Sequence, residues 1–248
     1  METWAYAAGA FDVRRASRAT MPWSSSEPST SSAGWVLTHI SDEGHELAAT
    51  RARARELCDG AIRWLRAQRL PPDPKGRFAS WIHREPRAPS RSRNAWCYGD
   101  AGIAAAAWSA ASRTGAEPGE WQELALEAAQ RSAELCLVMD PNLCHGAAGL
   151  AHLCNRFYQA SGDARFRAAA RGWFERALAL RRPGEGIAGF TAWRPPDDGD
   201  AERSPFHTSH DFLDGTAGVG LALLAGLRAE EPGWDRLLLC DLPPREPR

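Results

Sequence analysis

Three segments of this chain repeat one pattern, and that repetition constrains the fold more than any other feature. YGDAGIAAA begins at Tyr98, HGAAGLAHL at His145 and DGTAGVGLA at Asp214. Each reads x-G-x-A-G-aliphatic-small, and each opens a stretch of apolar, helix-forming residues. Gly99 and Gly146 lie 47 residues apart and Gly146 and Gly215 lie 69 apart; the excess of 22 falls across the Gly/Pro-rich stretch 183–211. A repeat of this length with two helices per unit is the signature of stacked or closed αα-hairpins. Small residues at each helix mouth let backbones approach closely, and glycine supplies the φ freedom such a turn needs.

Apolar periodicity predicts helices over 45–69, 101–114, 121–138, 147–160, 164–180 and 216–229, with Gly60 a candidate interruption of the first. The prolines of LPPDPKGRF end that first helix, and SGD at 161–163 supplies a stop and a cap. Alanine is abundant while valine, isoleucine and threonine are sparse, which favours helix and disfavours extended sheet. The expected class is therefore all-α. Residues 22–34 are Ser/Pro-rich, so 1–44 reads as a poorly structured segment, 45–239 as the folded unit and 240–248 as a tail. A formal net charge of −1 gives no bulk reason to expect nucleic acid as a partner. No apolar run approaches membrane-spanning length and the start lacks a signal-peptide core, so a cytoplasmic location is the expectation.

In that compartment the six cysteines more often serve metals or packing than disulfides. Cys97 and Cys144 each stand two residues before the first glycine of a repeat, and His145 follows Cys144 directly. If the repeats superpose, the two thiols occupy equivalent corners of neighbouring hairpins. Two thiolates and one imidazole with a fourth position open is the ligand set of a catalytic zinc. The bland alternative is that these are small buried hydrophobes at a packing site. Cys58, Cys136 and Cys154 fall inside helices among apolar neighbours and read as core, while Cys240 falls near the tail. His152 reads as packed or surface-facing, and His207 and His210 as members of a solvated loop.

At RNAWCYGDAGIA, LCHGAAGLAHL and FLDGTAGVGLALLA the chain resembles the lanthionine synthetase C-like family of lanthipeptide cyclases. The motifs stand in the family's order over roughly residues 45–228. The resemblance implies an α/α toroid, a barrel of αα-hairpins, with zinc at one end of its central cavity. It makes Cys97, Cys144 and His145 the expected zinc ligands. It also implies addition of peptide cysteine thiols to dehydroalanine or dehydrobutyrine, with a dehydrated precursor peptide as substrate and a dehydratase as a candidate partner. Arg93 and Tyr98 match family positions lining the site, and Arg93 would oppose the charge that develops on the enolate.

Two departures qualify that expectation. Family proteins are longer, so the expected toroid is incomplete and the chain is expected to hold its C-terminal hairpins, through truncation, a misassigned start or a frame disruption. The family's H-G-x-x-G motif, whose histidine is a candidate proton donor, has no counterpart upstream of Cys97. His39 and His45 lie there but neither precedes glycine, and His45 stands in for that role only weakly. The alternative function is a degenerate cyclase-like zinc protein that binds a peptide or partner chain. A glycoside-processing barrel would need two carboxylates across a cleft, and Asp100, Asp211 and Asp214 make no convincing pair.

Overall fold

The computed structural model describes residues 44–80, 82, 88, 91–194 and 204–244, the side chains of 44–47 and 49 excepted. The expected N-terminal segment, His39 within it and the end of the tail lie outside the described residues. The helices are α1 (Gly44–Ala67), α2 (Asp100–Thr114), α3 (Gly119–Ala129), α4 (Ala133–Cys136), α5 (Ala147–Ser161), α6 (Ala164–Ala179) and α7 (Thr216–Leu227). A 3₁₀ turn spans Gly233–Leu238. The chain is all-α, as the composition implies.

The three repeats open α2, α5 and α7, and these helices lie side by side, α5 in the middle, touching both neighbours. Each of the first two doubles back into a partner, α2 with α3 and α5 with α6, and the partners touch one another behind. α1 packs on α2. The result is two layers of helices in which one repeat supplies one inner helix. The turns follow from capping chemistry. Gly115 and Gly162 both take φ 74° and close α2 and α5 by donating their N–H to Ala111 and Tyr158 respectively. Asp163 then caps α6 by accepting the Arg165 N–H at 2.9 Å.

Three differences from the periodicity have physical reasons. Gly60 does not break α1, since the helix runs through it. The stretch 121–138 is two helices rather than one, because Arg131 turns out to meet the buried Asp100 carboxylate and Ser132 begins a new turn as an N-cap. The loop 183–211 contains a short antiparallel pair, β1 (Ala192–Trp193) with β2 (Phe206–His207). Two residues per strand is too little for composition to reveal.

The core lies between the layers. Trp108 of α2 stacks on Phe157 of α5 with ring centroids 5.4 Å apart, and Phe166 of α6 packs against both. Burying a side chain such as Phe157 stabilises the fold by about 1.5–3 kcal/mol. Cys136 and Cys154 are buried in this core, where burial pushes their thiols up to about 11 and about 12. They are inert packing residues. Cys58 is half-buried rather than core.

Cys240 corrects the expectation of a loose end. It and Leu242 are buried, held against α5 by Arg156, whose Nε donates to Cys240 O at 3.3 Å and Nη2 to Leu242 O at 2.8 Å. Arg156 also meets Asp235 at 3.1 Å, and Asp235 pairs with the buried His152 at 3.1 Å. His152 is therefore a packed core histidine. A polar network on the inner helix, invisible to hydropathy, pins the segment that follows α7.

Candidate metal centre

Each repeat mouth is a tight turn folded back onto the first turn of its own helix. The second glycine of each motif records how closely. A Cβ on Gly102, Gly149 or Gly218 would stand 1.9 Å from the carbonyl oxygen of Trp96, Leu143 or Phe212. No side chain fits there, which is why the pattern demands glycine at that position.

The three turns are also bonded to one another. Trp96 and Cys97 both donate their N–H to Cys144 O, at 3.2 and 3.4 Å. One repeat further on, Leu143 and Cys144 both donate to Leu213 O, at 3.1 and 2.9 Å. This ladder sets equivalent residues of neighbouring repeats against each other. Cys97, Cys144 and Leu213 form one row, and Tyr98, His145 and Asp214 form the next. Two adjacent members of the first row are thiols, and His145 is the next residue on the middle turn. Their ligand atoms all lie within 4.8 Å of one another, the one such group of three or more among the described residues.

Cys97 is buried, while Cys144 and His145 are partly open. The hydrogen bond with Cys97 pushes the Cys144 thiol far up, and burial pushes it further. Burial would depress the His145 imidazole, but the Cys144 hydrogen bond and the carboxylates of Asp140 and Asp214 outweigh it and leave its pKa raised. Two sulfur donors and one nitrogen donor converging within reach of a single ion fit a borderline-soft divalent ion such as zinc.

Arg93 and Tyr98 lie on the same turn as Cys97. The Arg93 guanidinium donates to the Tyr98 hydroxyl and stands 5.3 Å from the centre of its ring. Burial raises the Tyr98 pKa, opposed by Arg93, and both Cys97 and Cys144 are close enough to add to the rise. At neutral pH the phenol therefore keeps its proton. His45 falls in the first turn of α1, its side chain outside the described residues. His210 is exposed and His207 sits half-buried in β2, neither of them in the cluster. Asp100 is buried against Arg131 and the Arg77 N–H, and so is not free to act across a cleft.

Two residues beside the cluster escaped the sequence reading. Asp140 and Asn142, in the turn just ahead of Cys144, are both buried and bonded to each other. The signal was available: Asp140 stands six residues before its glycine, as Arg93 does.

A family model described as Lanthionine synthetase C-like protein matches residues 44–239, about four fifths of the chain. The chain belongs to that family. No match was found among curated proteins.

Proposed function

We propose that this lanthionine synthetase C-like protein is a zinc-dependent cyclase that closes thioether rings in a dehydrated, cysteine-containing peptide. The observation that carries the reading is the convergence of Cys97, Cys144 and His145 at the mouths of α2 and α5. These three would hold the ion, leaving a position for a substrate thiol. Zinc in such a site supplies a Lewis acid that lowers the pKa of a coordinated thiol.

The reaction adds S–H across a carbon–carbon double bond. The sulfur–Cβ bond forms, the π pair moves onto the neighbouring carbonyl as an enolate, and a proton returns to Cα, with nothing released. Arg93 would oppose the charge that accumulates on the enolate oxygen. Tyr98, protonated at neutral pH and bonded to Arg93, would hold or deliver a proton there. Residues 45–239 would be the working unit, with a dehydratase supplying the dehydrated peptide.

A second reading has one specific observation behind it. His145 is the sole histidine in the sequence followed by glycine, so the family's other H-G motif has no counterpart. A chain that binds zinc and peptide without closing rings would look like this. One experiment separates the two. Purified protein should carry about one zinc per chain and should consume free thiol when incubated with a dehydrated cysteine-containing peptide. Zinc bound with an unchanged thiol titre favours the binding protein, and no zinc in the wild type refutes the metal centre.

A further inference from the structure

Trp96, the residue before Cys97, is tied to three parts of the chain at once. Its N–H donates to Cys144 O at 3.2 Å, which joins the two turns that carry the cluster. Its carbonyl oxygen lies against Gly102 in the first turn of α2, where an added Cβ would stand 1.9 Å from it. Its half-buried indole reaches far along the chain and donates from Nε1 to Leu238 O at 2.8 Å. The Cys240 thiol donates to the same oxygen at 3.3 Å. Leu238 ends the 3₁₀ turn, so the Cys97 turn is fastened to the segment 233–242.

That segment is a strap bonded to both α2 and α5. Arg156 of α5 holds the carbonyls of Cys240 and Leu242, at 3.3 and 2.8 Å. Arg113 of α2 holds Asp241 between them, meeting its carboxylate at 2.7 Å and its carbonyl at 3.1 Å. Leu238, Cys240 and Leu242 are all buried. α2 and α5 touch each other less extensively than each touches its own hairpin partner, so the strap adds a tie that direct packing supplies only in part. These are the two helices whose mouths carry Cys97 and the Cys144–His145 pair. An ion that draws its donors from both turns is held only as well as their spacing is kept. We infer that the strap 233–242 braces the metal centre and that Trp96 is the positioning residue through which it acts. The indole holds the first turn to the strap, while the Trp96 N–H keeps that turn on Cys144 O. The inference rests on the reading that Cys97, Cys144 and His145 bind zinc.

The test is a cycle of zinc dissociation constants, measured by competition with a chromophoric chelator on the full chain. Its members are wild type, Trp96→Phe, Asp241→Asn and the double variant. Trp96→Phe keeps an aromatic ring and removes the indole donor; Asp241→Asn loosens the strap from α2 without touching either turn of the cluster. Groups that hold metal ligands from outside the coordination sphere are worth about 10–100-fold in metal affinity. Trp96→Phe should weaken zinc by a factor in that range, Asp241→Asn should weaken it too, and the double variant should bind no more weakly than Trp96→Phe. With cobalt in place of zinc, Trp96→Phe should keep the sulfur-to-cobalt charge-transfer bands, because the donors are unchanged, and show shifted d–d bands as their geometry relaxes. Cys154→Ala, in the core beside Cys136, is the control for lost stability and should match the wild type in affinity and in cobalt spectrum. Wild-type affinity in Trp96→Phe, losses that multiply in the double variant, or an equal loss in Cys154→Ala would each overturn the inference. If Trp96→Phe does not fold, Asp241→Asn set against Cys154→Ala decides: a loss confined to Asp241→Asn supports the brace, and no loss overturns it. Wild-type protein that binds no zinc would overturn the metal reading itself; normal zinc binding with an inert Trp96 overturns this inference alone.

Discussion

Replacing Gly149 by alanine is the sharpest single test of how the repeats build the site. The new Cβ would sit 1.9 Å from Leu143 O and 2.8 Å from its carbonyl carbon, both backbone atoms that cannot swing aside. Carbon contacts are most favourable near about 3.5–4.0 Å, so helix α5 and the 140–143 turn would have to separate by roughly 1.5 Å. Three backbone bonds span that gap: Ala147 N–H to Asp140 O, Ala148 N–H to Pro141 O and Gly149 N–H to Asn142 O, at 3.0, 3.2 and 3.2 Å. Overpacking of this kind costs about 1–3 kcal/mol and each of the three weakened bonds adds up to about 1 kcal/mol, for a total of about 1–6 kcal/mol. In a chain of this size that lowers Tm by about 2–24 °C. The displaced turn carries Cys144 and His145, so zinc affinity should fall as well. Gly172 on α6 is the control, because nothing lies within 4 Å of its added Cβ. Gly172→Ala should gain about 0.4–1 kcal/mol through lost freedom of the unfolded chain. Thermal melts and zinc titrations of both variants measure all of this. A Gly149→Ala protein that melts with the wild type would refute the claim that the motif glycine exists for backbone contact.

Other expectations concern the C-terminal anchor and the ligands. Arg156→Ala would leave the buried Asp235 carboxylate without its cation and release Cys240 and Leu242. The expected loss is about 3–5 kcal/mol by chemical denaturation, and a loss below about 1 kcal/mol would show the network to be incidental. The His152 pKa is depressed, first by burial, with the Asp235 bond opposing. Between its folded value and the unfolded value of about 6.5 the unfolded chain holds the extra proton. Stability from this group is therefore complete above about pH 6.5 and declines as pH falls toward the folded pKa, and unfolding curves of wild type and His152→Asn should diverge in that window. Parallel curves would mean that His152 is not kept neutral by the fold. Cys144→Ala should abolish stoichiometric zinc by metal analysis, whereas Cys154→Ala should retain it and lose only stability. Tyr98→Phe should slow ring closure while leaving zinc content intact, which peptide mass spectrometry against thiol titration would report.

The repeats at Gly99, Gly146 and Gly215 were enough to place α2, α5 and α7 as the helices that open each unit and to set them in one layer. Glycine at a helix mouth is read directly from sequence, because no other residue tolerates a backbone oxygen at that distance. The same register put Cys97 and Cys144 in equivalent positions and set His145 beside them as a candidate third donor. Local chemistry repeated at fixed spacing survives in one dimension. What sequence could not supply was the contact between units. The bonds from Trp96 and Cys97 to Cys144 O join residues almost fifty positions apart, and only their closure brings the thiols within reach of one ion. The break after α3 depends on Arg131 meeting Asp100, and the burial of Cys240 on an arginine of α5. In each case a polar side chain finds a partner far along the chain, which no hydropathy pattern records. Asp140 shows the same division: its place in the repeat is written in the sequence, but its nearness to His145 and its bond to Trp193 exist only once the turn has folded against the long loop.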